Sequence, residues 1–372
     1  MDVIGVVGLG AMGMGIAQVF LQAGHKVVAT DAAAQARASA ATRLADALAA
    51  RVARGALAPL AVDELMGRFA VAPDPSGLAS ARLVVEAVVE SAEVKRAVFA
   101  ALEACVDPRA VLATNTSSIR VETIAQPLRH PGRLVGLHFF NPAPAMRLVE
   151  LIGHAQSAPE ALDLARALTE AAGKTVVRAP DRPGFIVNRC ARPFYGEALA
   201  LLGEGRRPAE IDAAMLTAGY RMGPFALIDL IGADVNLAAT EGLANAMGGH
   251  PRYHVFPALR AQVESGRLGR KTGAGFVFPA DPEPPPDDAA GIVLRIEATL
   301  INEAAWLLSE GGTTREGIDT AMKLGLNFPR GPFEMLATHG AGRVRETLAA
   351  LERGAPAALA GRYLIAGALA EA

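Results

Sequence analysis

Three short stretches of this chain carry groups that could do chemistry. The first is Gly8-Leu9-Gly10-Ala11-Met12-Gly13, a G-x-G-x-x-G run. The three glycines differ in what they allow. Gly8 permits a tight turn, Gly10 lets a pyrophosphate approach the backbone, and Gly13 lets helix and strand pack closely. A helix opening at Ala11 and Met12 would offer unsatisfied N–H groups and a positive dipole to phosphate oxygens. Asp31 follows Gly13 by 18 positions, at the end of the second expected strand. A carboxylate there accepts hydrogen bonds from ribose hydroxyls and repels a 2′-phosphate. The next basic residue, Arg37, is six positions on, so NAD is expected rather than NADP. The competing roles are a plain glycine-rich turn and, for Asp31, a helix N-cap.

The other two stretches are Asn115-Thr116-Ser117-Ser118 and His138. Each directly follows a short apolar run, Val111–Thr114 and Leu134–Leu137, expected as a strand. In an open parallel sheet, ligands bind beyond the carboxyl ends of the strands, so both clusters, Asn115 included, should face the nicotinamide end of the cofactor. Removing hydride from an alcohol carbon requires a base for the hydroxyl proton, and histidine suits that work near neutral pH. Glu150, 12 positions on, is the candidate to orient the ring and stabilise imidazolium. Ser117 can hold the substrate oxygen. The competing role for His138 is a satisfied core histidine. His250 and His254 have i, i+4 spacing, but Pro251 stands between them and no carboxylate motif accompanies them, so no metal is expected.

The elements that must position these groups follow from the apolar pattern. Val3–Val7 reads as a buried parallel strand, followed by a helix ending near Gly24. Lys26–Thr30 is a second strand, and Ala32–Ala58 an alanine-rich helix. Leu83–Val88 reads as a strand, Glu93–Ala104 as a helix, and Thr175–Arg178 as a further strand. Strands alternating with helices imply a mostly parallel sheet covered on both faces, an α/β Rossmann domain over residues 1–182. After Pro183 helical periodicity takes over. A first all-α region, 183–279, ends in the basic, glycine-rich segment Gly269–Phe278. Ala280–Asp288 is proline-rich and acidic, a semi-rigid linker. A second all-α region spans 289–372.

The two helical regions repeat each other. GEALALLGEG at Gly196–Gly205 matches NEAAWLLSEG at Asn302–Gly311, IDAAM at Ile211–Met215 matches IDTAM at Ile318–Met322, and GPF recurs at Gly223–Phe225 and Gly331–Phe333. The offsets are 106, 107 and 108, so two single-residue insertions separate the copies.

The charge balance, 36 basic against 38 acidic side chains, gives no basic excess for a nucleic-acid partner. The uncharged run from Val3 to Gly24 has the length of a membrane span, but glycines and glutamines interrupt it, and no membrane association is expected. The two cysteines, Cys105 and Cys190, make no disulfide framework, which suits a reducing cytoplasm.

NTSS, LHFFNP at Leu137–Pro142, LVE at Leu148–Glu150, RPGFIVNR at Arg182–Arg189, GPF, and KTGAGF at Lys271–Phe276 together resemble the 3-hydroxyacyl-CoA dehydrogenase family, in the form with a duplicated helical domain. The resemblance runs from Met1 to Phe278 and into the repeat. It implies oxidation of a (3S)-hydroxyacyl-CoA by NAD across a cleft between sheet and helical domains. His138 would be the base and Glu150 its partner, Ser117 would contact the substrate's 3-oxygen, and Asn188 would reach the site from the helical domain. Glu90 and Lys95 resemble residues near the nicotinamide ribose; their competing role is an exposed charge pair. Arg51 and Arg54 are candidates for the phosphates of coenzyme A. The family tends to place serine and lysine there, and this chain has alanines and arginines. The counterpart of Asn188 in the second copy is Leu294, and that copy lacks a KTGAGF-like ending, so it is read as structural. It is expected to pack on the first copy, over the surface that shorter members cover by dimerisation.

Three other readings remain open on sequence. L-gulonate and carnitine dehydrogenases share much of the motif set without the coenzyme A handle. The 3-hydroxyisobutyrate group shares the opening glycine run but lacks NTSS and HFFNP. Lens crystallins resemble the family without catalysis. Acyl chain length, a terminal carboxylate on the substrate and association of whole chains also stay open.

Overall fold

The computed structural model describes residues 1–55, 57–58 and 61–370. The apolar runs of the first half become strands because helices cover both faces of their sheet, which allows continuous rather than alternating apolar sequence. In chain order the elements are β1 (Val3–Val7), α1 (Ala11–Gln22), β2 (Lys26–Thr30), α2 (Ala34–Ala53), α3 (Ala61–Met66), β3 (Phe69–Val71), β4 (Leu83–Glu86) and α4 (Ala92–Cys105). There follow β5 (Val111–Thr114), α5 (Val121–Ala125), β6 (Leu134–Phe139), β7 (Leu148–Gly153), α6 (Pro159–Ala171) and β8 (Thr175–Pro180). The strands form one sheet in the order β3-β2-β1-β4-β5-β6-β7-β8. Every neighbouring pair is parallel except β6 and β7, which run antiparallel. The order changes direction between β1 and β4, the switch point at which such sheets bind ligands.

Several details depart from the expectations drawn from sequence. β6 continues to Phe139, so His138 lies inside the strand and not beyond it. β7 is absent from the expected strands, because Glu150 in the middle of its run reads as a solvent-facing break, whereas the residue is fully buried. The strand expected to reach Val88 ends at Glu86, and β3 is too short to carry a pattern. The helix expected to reach Ala58 ends at Ala53; of the remaining stretch, residue 56 lies outside the described residues.

The chain divides into two units, Met1–Arg182 and Pro183–Ala372, and the second holds both helical copies. The first copy contains α7 (Val187–Cys190), α8 (Arg192–Gly203), α9 (Pro208–Thr217), α10 (Pro224–Ile231), α11 (Ala233–Ala246) and α12 (Pro257–Glu264). The second contains α13 (Ala289–Ser309), α14 (Arg315–Leu326), α15 (Pro332–His339) and α16 (Ala341–Gly354). Residues 371 and 372, the expected end of the second copy, lie outside the described residues. The segment before α13 has no regular structure, and ion pairs from Arg207 to Glu283 and from Arg206 to Asp288 fix it to the first copy.

The repeated motifs are helix-building devices. Asp212 accepts hydrogen bonds from Phe225 N and Ala226 N at 2.9 and 2.7 Å, capping α10; Asp319 accepts from Phe333 N at 2.8 Å and caps α15. The glycine of each GPF is forced by that carboxylate. A Cβ on Gly223 would lie 2.4 Å from Asp212 Cγ, and one on Gly331 would lie 2.3 Å from Asp319 Cβ. KTGAGF is a loop gathered by another acid: Asp229 accepts from the amides of Phe276, Val277 and Phe278. In the second copy the position of Asp229 is Ala337, so the missing ending and the missing acid go together.

The copies meet through α13, which packs along α8 and α9. Its buried face includes Ile296, Leu300, Ala304 and Leu307. Phe194, Tyr220 and Phe328 cluster with ring centroids 4.9–5.3 Å apart, Phe194 stacked on Tyr220 and Phe328 edge-on to Tyr220. A chain ending at residue 288 would expose the apolar surface of α8 and α9 to water. It should dimerise or aggregate, as read by light scattering after size exclusion. A soluble monomer with full activity would overturn the covering role of the second copy.

Candidate active site

The glycine-rich turn joins β1 to α1. Gly8 has φ +97°, and a Cβ on it would lie 2.5 Å from Ala87 O. A Cβ on Gly13 would lie 1.7 Å from Gly8 O. These two glycines are required by the turn itself. Gly10 differs: a Cβ there meets nothing within 4 Å, so its small size serves something outside the fold. Gly10 is also the N-cap of α1 and offers no side-chain cap, leaving the first amides of the helix, at Ala11, Met12 and Gly13, for an acceptor from elsewhere. That combination of open space and undirected N–H groups fits the pyrophosphate of a dinucleotide.

Asp31 stands just past β2. Its Oδ2 accepts from Leu9 N at 2.7 Å and its Oδ1 from Ala33 N at 2.8 Å. It therefore ties the glycine turn to the second strand and is no N-cap, since Ala33 occupies that position of α2. Arg37 folds back to donate to the carbonyls of Asp31 and Ala32, closer to Asp31 than its sequence distance suggests. Arg43, which no sequence motif marks, donates to Leu9 O at 2.8 Å.

At the other end of the sheet, the antiparallel pairing of β6 and β7 sets His138 directly opposite Glu150. Glu150 Oε2 lies 2.6 Å from His138 Nδ1. Glu150 is fully buried and His138 is 6% exposed, so the contact is shielded from water and strong for its length. Asn115, at the end of β5, accepts from Phe139 N through Oδ1 at 2.8 Å and fixes the strand beside His138.

Glu90 organises the NTSS loop. Its Oε1 accepts from Thr116 Oγ1, Ser117 N, Ser118 N and Ser118 Oγ, and Ser117 Oγ lies 3.2 Å away. Burial pushes Glu90 up, but the Thr116 hydrogen bond and the Lys95 charge together hold it below the usual range. Lys95 is no exposed partner. Its side chain is 1% exposed, with Nζ 2.7 Å from Glu86 and 3.3 Å from Glu90. Glu86 is a site residue that the sequence motifs do not reveal. It closes the apolar strand LVVE, accepts from Lys95 Nζ, Thr114 Oγ1 and Val88 N, and is fully buried. An acid ending an otherwise apolar run is the one signal it leaves in the sequence.

Arg51 and Arg54 occupy the last turn and the end of α2. Burial and the charge of Arg51 together pull Lys174 down to about 8. Lys174 donates to the carbonyls of Ala143 and Met146, so Arg51 stands near the loop that leaves β6. Arg54 is exposed. Asn188 belongs to the second unit, on α7, where Gly184 (φ +75°) and Phe185 (φ +47°) bend the chain just ahead of it. His138, Glu150, Ser117, Asn115, Glu90 and Lys95 all lie in the first unit.

Residues 3–182 match the 3-hydroxyacyl-CoA dehydrogenase NAD binding domain, and residues 184–278 and 292–368 match that enzyme's C-terminal domain, once for each copy. The chain belongs to the 3-hydroxyacyl-CoA dehydrogenase family. It is an NAD-dependent oxidoreductase of that family. A 3-hydroxyadipyl-CoA dehydrogenase of Escherichia coli is 44% identical over 73% of this chain, a match spanning 58% of that relative's own length. A probable 3-hydroxybutyryl-CoA dehydrogenase of Bacillus subtilis is 38% identical over 73% of this chain and 95% of its own, so it has the length of the sheet unit with one helical copy. A crystal structure of 3-hydroxybutyryl-CoA dehydrogenase from Escherichia coli superposes with a TM-score of 0.92 at 32% identity, covering 100% of this chain and 98% of that one. No helix among the described residues is long and apolar enough to cross a membrane.

The two kinds of glycine in the dinucleotide turn separate fold from binding. Gly10→Ala should leave the melting temperature unchanged and weaken NADH binding by at least ~10-fold, about 1.4 kcal/mol, in a fluorescence titration. Gly13→Ala should lose the folded state in the same melting experiment. Equal affinity for NADH in Gly10→Ala and the parent would remove the pyrophosphate from this turn.

Proposed function

We propose that the chain oxidises the 3-hydroxyl of a (3S)-hydroxyacyl-CoA to the 3-oxoacyl-CoA, in the cytoplasm, with His138 as general base. The observation that carries this is the buried 2.6 Å contact between His138 Nδ1 and Glu150. A carboxylate on Nδ1 keeps the ring proton on that nitrogen and directs the basic lone pair to Nε2. The residues that would hold NAD are the turn Gly8–Gly13, with Ala11 and Met12 at the helix opening, and Asp31. Bound there, NAD supplies the hydride acceptor.

The chain's own residues then do the following. His138 Nε2 takes the proton of the C3 hydroxyl as the C3–H bond breaks and the C=O bond forms. Glu150, fully buried, stabilises the imidazolium that results, and does so without reorganisation because the strand pair already fixes it. Ser117, held in place by Glu90, hydrogen-bonds the developing carbonyl oxygen. Asn188 is assigned to hydrogen-bond the substrate. Lys95 and Asn115 keep the loop and the strand end in register at the nicotinamide end. In the reverse direction the imidazolium gives its proton back. Arg51 and Arg54 are assigned to the phosphates of coenzyme A.

NADH formation from 3-hydroxybutyryl-CoA and from 3-hydroxyadipyl-CoA tests the reading, with the free hydroxy acids as controls. His138→Gln should lower turnover at least ~100-fold with NADH binding retained. Unchanged turnover would remove His138 from the mechanism, and equal rates on the free acids would remove the coenzyme A handle.

A further inference from the structure

The helical unit contains two ion clusters related by its internal repeat. Arg189 of the first copy puts Nε 2.7 Å from Glu303 and both terminal nitrogens 2.7 Å from Glu310, in the second copy. Arg295 of the second copy puts Nε 2.7 Å from Glu197 and both terminal nitrogens 2.7 Å from Glu204, in the first. The three members correspond at the same offset of 106: Arg189 with Arg295, Glu197 with Glu303, Glu204 with Glu310. The second layer is also exchanged. Glu303 accepts from Arg252 and from Tyr253 Oη, and Glu197 from Arg362 and from Tyr363 Oη. Each copy thus hands an arginine to the other's pair of glutamates, the pattern of a two-fold interface inside one chain.

The copies differ at the residue before each arginine. Asn188 precedes Arg189, whereas Leu294 precedes Arg295. The backbone differs with it. Leu294 lies within the unbroken 21-residue helix α13, while Asn188 lies on the four-residue α7, entered through two positive-φ residues. Hydrogen bonds from Cys190 N to Ile186 O and from Ala191 N to Val187 O close this short turn, and so short a helix is marginal without contacts from outside it. The side chain next to Asn188, Arg189, is fully buried and takes a bidentate grip on Glu310.

We propose that the second copy is a positioning device for Asn188: Glu310 and Glu303 fix Arg189, and Arg189 fixes the turn that presents the Asn188 amide to the substrate. Glu310 and Glu303 are positioning residues in this scheme and touch no reacting atom. The inference rests on the assignment of Asn188 to the substrate, made above.

The repeat supplies its own control. Glu310→Gln removes the charge from the Arg189 grip; Glu204→Gln makes the same change at Arg295, beside a leucine. Melting temperature, NADH affinity, KM and kcat are measured for both. Glu310→Gln should lower kcat about tenfold with NADH affinity intact, and Glu310→Asp should recover part of that loss. Glu204→Gln should keep kcat within about twofold whatever its melting temperature. Asn188→Ala must itself lower kcat, and adding Glu310→Gln to it should then cost little more, since both act through one route. Equal kcat in the two glutamine variants, or additive losses in the double variant, would overturn the positioning role alone. A parental kcat in Asn188→Ala would instead overturn the assignment of Asn188. If Glu310→Gln fails to fold, Glu310→Asp is compared with Glu204→Asp by the same criteria.

Discussion

Glu150 is sealed from solvent in the middle of a sheet, and a carboxylate in that position has to be met by a donor. The antiparallel pairing of β6 with β7 meets it with His138, on the facing residue of the next strand. The rest of the first unit follows the same constraint. Glu86 is equally buried and is answered by Lys95 and Thr114. Lys95 in turn reaches Glu90, and Glu90 gathers the amides and hydroxyls of the loop containing Ser117. Two buried acids therefore fix the two ends of the proposed chemistry, the ring that takes the proton and the hydroxyl that holds the oxygen.

Much of this could be read from sequence because it depends on local spacing. The glycine turn, Asp31 and the strands β1, β2 and β5 are short-range patterns, and the sheet's parallel character follows from their alternation with helices. Three things could not be read so. β7 hides behind Glu150, since an acid within a six-residue apolar run signals exposure until its partner is known. Glu86 escapes for a related reason: its worth depends on Lys95, nine residues on, and on Thr114, in another strand. The length of β6 is underestimated because His138 is polar and yet occupies a buried strand position.

The helical unit carries the constraint across a repeat. Matching residues by type finds the duplication, but the weight of Arg189, Glu303 and Glu310 appears only when the copies are laid face to face. The shared RY at Arg252-Tyr253 and Arg362-Tyr363 is a signal already present in the sequence, at an offset of 110, and it marks the outer layer of the same clusters. GPF and KTGAGF, which carry much of the family likeness, turn out to wrap the carboxylates of Asp212 and Asp229. They build the scaffold, and the residues proposed to meet the substrate lie elsewhere.

Covalent fusion of the copies alters what selection can act upon. Two identical subunits share one gene, so a change at either face appears on both, and their association weakens on dilution. Here the tether holds the faces together at any protein concentration. One half can then differ wherever the other supplies the group that function needs, and Leu294 fills a helix where its counterpart Asn188 is an amide.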